Sequence, residues 1–293
     1  MKNYRLIILL FVLSGCSPIS NYVTPSITLT PFLSPVATST PIWTDTPTST
    51  VPSTKIPYVP ISTPLVKESS KIVLELMQTN NGCDLPCWWG IIPNQTSWNN
   101  AVEFLKPFST IYERQPPSDW FVYDIRSPIS TEVSELGIVE IVFAARDGII
   151  KEIEASGFNE DFYSPSSVLN KYGVPSQILV SSYSSDYGSP PNQVPLSVDL
   201  YYPQKGINVL YGTYATVKGT QIIGCLENPH LFLWSPSEHI RTINYILGWD
   251  SSNTPYMNIK DATGLSIQDF YAKYSRLENQ PCLQTPANLW PSQ

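Results

Sequence analysis

The chain has 293 residues, 42% hydrophobic and 14% charged, with 28 prolines, 14 glycines and a formal net charge of −7. This composition excludes collagen-like and wholly disordered classes, and the acidic balance is the wrong sign for a nucleic-acid binder. The length suits about two domains, and no apolar run reaches the roughly 20 residues a membrane-spanning helix needs.

Lys2 and Arg5 precede the apolar stretch 6–13, the pattern of a secretory signal over residues 1–15. The stretch closes on Leu13-Ser14-Gly15-Cys16, which resembles the lipobox of bacterial lipoproteins. The resemblance implies cleavage before Cys16, a diacylglycerol on its thiol and a further acyl chain such as palmitate on the new amino terminus. The chain is then expected at the extracytoplasmic face of a bacterial cell membrane, held by several acyl chains, because one chain binds only marginally. Loss of Lys2 and Arg5 leaves 15 basic against 24 acidic side chains, or −9. A body of that charge is not drawn to anionic headgroups.

Residues 17–65 hold 10 Pro, 11 Thr and 8 Ser, with Asp45 and Lys55 the only charges. Thr-Pro steps recur at Thr24-Pro25, Thr30-Pro31, Thr40-Pro41, Thr46-Pro47 and Thr63-Pro64. Proline fixes its own φ and biases its predecessor toward extended geometry, so 16–65 reads as a lipidated cysteine followed by a disordered, polyproline-biased stalk. Fully extended, it reaches on the order of 150 Å.

A folded body is expected from residue 66. Apolar spacing predicts a helix over 66–77 and another over 97–105 capped by Thr96, then strands over 120–125, 137–145 and 149–155. Arg146-Asp147-Gly148 reads as a hairpin turn between the last two. Ser164-Pro165 starts a third helix that Gly173 ends. Strands follow over 177–182, 196–202, 207–211, 220–226 and 231–234, with a late helix over 267–274 capped by Ser266. Val139-Glu140-Ile141-Val142-Phe143 with Gly148-Ile149, and Val198-Asp199-Leu200-Tyr201-Tyr202 with Gly206-Ile207, repeat one pattern. The expected architecture is α+β, with two related helix-plus-antiparallel-sheet units, 66–160 and 161–293.

Gly90-Ile91-Ile92-Pro93-Asn94-Gln95-Thr96 resembles the G-x-x-P-G-x-T/S lead-in of small SmpA/OmlA-type lipoprotein domains, with Asn94 where that family often has Gly. Leu169-Asn170-Lys171-Tyr172-Gly173-Val174-Pro175 is similar to their helix exit. Tandem copies of that unit resemble the β-lactamase-inhibitor-protein fold. Cys83-Asp84-Leu85-Pro86-Cys87-Trp88-Trp89-Gly90-Ile91 resembles a segment of uncharacterised bacterial lipoproteins with Thr/Pro stalks. That likeness implies an address and no chemistry.

Setting Cys16 aside, Cys83, Cys87, Cys225 and Cys282 form an even set, which outside the cytoplasm reads as two disulfides in one of three connectivities. Cys83–Cys87 is favoured because its proline turn closes locally, leaving Cys225–Cys282 to close a long loop. Catalytic signals are scarce. His230 and His239, with Glu238 nearby, lack metal-ligand spacing, no Gly-x-Ser-x-Gly elbow occurs, and no Gly-rich phosphate loop occurs. Acid pairs such as Glu132/Glu135, Glu152/Glu154 and Glu160/Asp161 are unremarkable among 24 acids. No catalytic residue, metal or cofactor is expected.

Aromatics stand out, with 8 Trp and 17 Tyr. If Trp88-Trp89 lies in a strand, one ring faces the core and the other solvent. Trp88, Trp89, Tyr201 and Tyr211 are the candidate binding residues, with Tyr202 and Tyr214 on or next to the same hairpin strands. The expected function is a non-enzymatic protein-interaction module of the cell envelope, binding through a concave aromatic sheet face. A glycan- or cell-wall-binding module is the alternative and an envelope hydrolase the second; nucleic acid is not an expected partner.

Overall fold

The computed structural model describes residues 66–114, 120–131, 134, 136–158, 163–183, 192–237, 256–276 and 282–291. Cys16, the Thr/Pro-rich stretch before residue 66, Glu238 and His239 lie outside the described residues.

Alternation builds the sheet. In β6 (Gln193–Tyr202), Val194, Leu196, Val198, Leu200 and Tyr202 are buried, while Pro195, Ser197, Asp199 and Tyr201 point the other way. The other main strands are β1 (Thr110–Arg114), β2 (Phe121–Pro128), β3 (Ile138–Arg146), β4 (Ile149–Ser156), β5 (Gln177–Ser182), β7 (Ile207–Lys218), β8 (Gln221–Gly224) and β9 (Pro229–Trp234), with the same period clearest in β3 and β7. Two short strands, β10 (Tyr256–Asn258) and β11 (Leu283–Pro286), complete it. The order is β1-β2-β3-β4-β9-β7-β6-β5-β10, all antiparallel, with β8 on β7 and β11 on β8. Thus β2-β3-β4 flank β9 on one side and β7-β6-β5 on the other. A β-bulge opposite Ala144/Ala145 makes Lys151 the extra residue of β4, so Ile150 and Ile153 both reach the core.

Helices cover one face of the sheet. These are α1 (Val66–Thr79), α2 (Trp98–Leu105), α3 (Pro165–Tyr172), α4 (Ile259–Thr263) and α5 (Ile267–Tyr274). Val73, Met77, Ala101, Leu105, Val168, Leu169, Ile259 and Phe270 join the inward strand residues in one core. This is an α+β architecture, helices on a large antiparallel sheet. No described helix is long and apolar enough to cross a membrane.

The helix starts follow from capping chemistry. Ser164 Oγ accepts from Ser167 N at 3.2 Å with Pro165 in the first turn, and Gly173, at φ 80°, ends α3. Ser266 and Asp269 form a reciprocal capping box on α5. The cap of α2 is Ser97 rather than Thr96: Thr96 Oγ1 instead accepts from Ile92 N at 2.9 Å, closing the turn that precedes the helix. Asn94 adopts the left-handed conformation at φ 64° and donates from its backbone to Ile150 O, stitching the lead-in to β4.

Both favoured cysteine pairings are present, Cys83–Cys87 and Cys225–Cys282. The second ties the residue before β11 to the residue after β8, beside the Leu283–Gly224 pair of their ladder.

Candidate functional site

Three of the four candidate binding aromatics are interior. Trp88 and Trp89 are both buried, their rings 5.3 Å apart at 24° and walled by Phe158, Tyr163 and Phe108. The strand premise fails there because Trp89 has φ 55° and Gly90 follows at φ 87°, a turn closed by reciprocal Trp88–Ile91 backbone bonds. Asn80 fixes it: its Nδ2 donates to Cys83 O and Cys87 O at 2.8 Å, and its Oδ1 accepts from Trp89 N at 2.7 Å. Tyr211 is buried too, donating its hydroxyl to Tyr163 O at 2.8 Å. Only Tyr201 faces outward, its ring 5.7 Å from Trp234.

The sheet face opposite the described helices carries two kinds of surface. Toward β1, acids and bases are matched: Asp124 pairs with Arg114, and Glu140 with Arg126 at 3.3 Å. Arg126 also lies over the Tyr112 ring at 5.8 Å. Toward the middle lie two contacting pairs, Glu154 of β4 with His230 of β9 and Asn208 of β7 with Asp199 of β6, and Phe232 stands in register between Glu154 and Asn208. Glu154 is only 6% exposed, and its Oε1 lies 2.5 Å from His230 Nε2 without hydrogen-bond alignment. The imidazole stacks on Phe232 at 4.6 Å. Asn208 Nδ2 donates to Asp199 Oδ1 at 3.0 Å. Burial pushes the Asp199 carboxyl up to about 6, opposed by the Asn208 hydrogen bond and the nearby His230 charge.

Beside these pairs lies a depression of about 360 Å³. Its floor is a cross-strand row of small residues, Ser181, Ser197 and Gly212, in register across β5, β6 and β7. A β-carbon on Gly212 would meet nothing within 4 Å, so the floor opens outward. Tyr183, Asn228 and Tyr214 form part of its wall, Tyr214 being 63% exposed. A second cavity of about 330 Å³ is lined by His230, Ser156 and Leu136 among others. A third, about 310 Å³, lies beside the Cys83 loop where Lys171 pairs with Asp84 at 2.6 Å.

Among the described residues, no group of three or more His, Cys, Asp or Glu side chains is arranged to hold a metal ion. Among the described residues that line it, the depression has hydroxyls and tyrosine rings but no carboxylate, imidazole or amine. Glu154 and His230 were visible in the sequence only as an ordinary acid pair member and a lone histidine. Asp199 appeared only as the acid of a repeated strand pattern, and Asn208 carried no signal. The outward alternation of β6 flags Asp199, yet its meeting with Asn208 depends on a hairpin register that spacing alone does not supply. No family model, curated protein or solved structure matches this chain.

Proposed function

We propose that this chain is a lipid-anchored, extracytoplasmic, non-enzymatic protein-interaction module of a bacterial cell envelope. In this reading Cys16 carries the acyl chains, 16–65 is the stalk, and the body consists of two related units meeting at β9, as in β-lactamase-inhibitor-like tandem folds. The membrane is contacted through lipid alone, and a protein partner is engaged by the outer sheet face.

The observation that carries the reading is the lining of the 360 Å³ depression, dominated by Tyr, Ser, Gly and Asn with Tyr214 projecting at its rim. Tyrosine supplies large rigid contact area at low entropic cost, while serine and asparagine adapt their hydrogen bonds to a partner. A site so poor in acid–base groups offers recognition rather than chemistry.

The test is crosslinking of the full-length protein on intact cells, followed by affinity capture and mass spectrometry. One near-stoichiometric protein, lost in Tyr214→Ala and in Gly212→Trp, supports the module. Capture of peptidoglycan or polysaccharide alone, or no loss in either variant, overturns it. The anchor is tested separately: Cys16→Ser should move the protein from the membrane fraction to the soluble one.

A further inference from the structure

One stretch ahead of the body does not suit a solvated tether. Residues 27–36 read Ile-Thr-Leu-Thr-Pro-Phe-Leu-Ser-Pro-Val, and no charge occurs anywhere in 17–44. Ile27, Leu29, Phe32, Leu33 and Val36 are large and apolar, whereas a segment that stays in water is normally poor in such side chains. Pro31 and Pro35 bias the stretch toward polyproline II, which has three residues per turn. At that period Leu29, Phe32 and Pro35 share one edge.

The 360 Å³ depression offers what such an edge needs. Pro195 of β6 pairs with Tyr214 of β7, and Tyr183 follows Ser182, the last paired residue of β5. Tyr183 and Tyr214 thus stand two strands apart, about 10 Å, as walls beside the small-residue floor. Extended proline-rich chains dock in aromatic-lined grooves, and their unbonded carbonyls accept from hydroxyls such as those of Ser181 and Ser197. None of the described residues lining the depression is charged. That matches a segment without charge and does not match the acidic body of a second copy.

Length selects this stretch. Ile56-Pro57-Tyr58-Val59-Pro60-Ile61 is as apolar, but four residues, about 12 Å, join it to α1, which packs on the opposite face of the sheet. Residues 37–65 span about 90 Å when extended, against a radius of gyration of about 17 Å for a body of this size. A tether of that length holds the stretch at an effective concentration on the order of millimolar, which favours the same chain over a neighbour.

We infer that residues 27–36 of the chain itself occupy the depression, with the Leu29–Phe32–Pro35 edge between Tyr183 and Tyr214. The inference rests on reading the depression as a recognition site and names its resident ligand, which a partner protein must displace. On the proposed anchor at Cys16, the docked state leaves residues 17–26, about 30 Å, as the tether. Displacement by a partner then lengthens it.

The test places the photoreactive residue p-benzoylphenylalanine at position 214 of the mature chain, made soluble by Cys16→Ser, and maps the crosslinked peptides by mass spectrometry. Expected is a monomeric product joined to residues 27–36. Its yield should fall about tenfold in the double variant Leu29→Ser/Phe32→Ser. It should fall as far in Gly212→Trp, which fills the floor where a β-carbon meets nothing within 4 Å. The same photoreactive residue at position 112, where Tyr112 is exposed at the β1 end of the sheet, should give no such product. Absence of a product with 27–36, an equal yield from position 112, an unchanged yield in both variants, or a product found only as a dimer overturns the inference. Failure here, with a partner still captured on cells and lost in Tyr214→Ala, leaves the module reading intact. The expected product with no partner captured removes the module and keeps the docked segment.

Discussion

The carbonyl oxygen of Trp234 lies 2.0 Å from the position a β-carbon on Gly206 would take. Trp234 N in turn donates to Gly206 O at 3.0 Å, and Gly206 sits at φ 68° where the β6–β7 connection turns back. Backbone contact and left-handed geometry both require glycine here. Gly206→Ala is expected to destabilise by about 3 kcal/mol or more, since main chain must shift. Gly219→Ala, at φ 61° with open space around it, should cost about 1 kcal/mol. Urea unfolding of the two variants separates clash from conformational strain.

Asn80 is expected to be the most sensitive polar residue of the cysteine loop. Asn80→Ala orphans Trp89 N and two carbonyls at once, for a loss of about 3 kcal/mol or more. Asn80→Asp should be no better, because a carboxylate cannot donate to Cys83 O and Cys87 O. Tryptophan fluorescence provides the second readout: the buried Trp88–Trp89 pair should shift to the red as the loop opens.

Asp199 gives stability a definite pH dependence. Its folded carboxyl titrates at about 6, above the ordinary 3.8, so the native state binds a proton before the unfolded chain does. The burial penalty is therefore fully present above pH 6 and is relieved as pH falls from 6 toward 3.8. Asp199→Asn should stabilise at pH 7.5, by at most about 3 kcal/mol, and this gain should vanish by pH 4. Chemical denaturation at both pH values checks the sign.

The two disulfides should contribute unequally. Cys225–Cys282 closes a loop of sequence separation 57, and Cys83–Cys87 one of 4. On the chain-entropy account these amount to about 4 and about 2 kcal/mol. Paired alanine variants, compared by urea unfolding, should keep that order. Loss of the long-range bond should also release β11 from β8 first, seen as earlier amide exchange at Leu283 and Thr285.

Much of the fold was legible because its signals are local. The alternation of β6, the Asp147-Gly148 turn, the Ser164-Pro165 start and the Ser266 cap each act within a few residues. β1 escaped notice because Thr110 to Arg114 shows little apolar alternation, and α4 and β10 because they are shorter than a readable period. Trp88 and Trp89 misled for a physical reason: their burial is imposed by Asn80, eight and nine residues earlier, and not by strand geometry. The outer-face pairs were the least legible, since Glu154 and His230, and Asp199 and Asn208, meet only through ladder register. A one-residue slip in any of those strands would turn its member inward.

The ends of the nine-strand path have a bearing on crowding. β10 is three residues long, and β1 carries Glu113 and Arg114 on its five. An edge that is brief at one end and charged at the other is a poor template for an added strand. Under the proposed lipid anchor, copies side by side on one membrane would meet at high local concentration, the condition that most favours edge-to-edge polymerisation. Among the described residues, the sheet resists that fate at the two ends of its path.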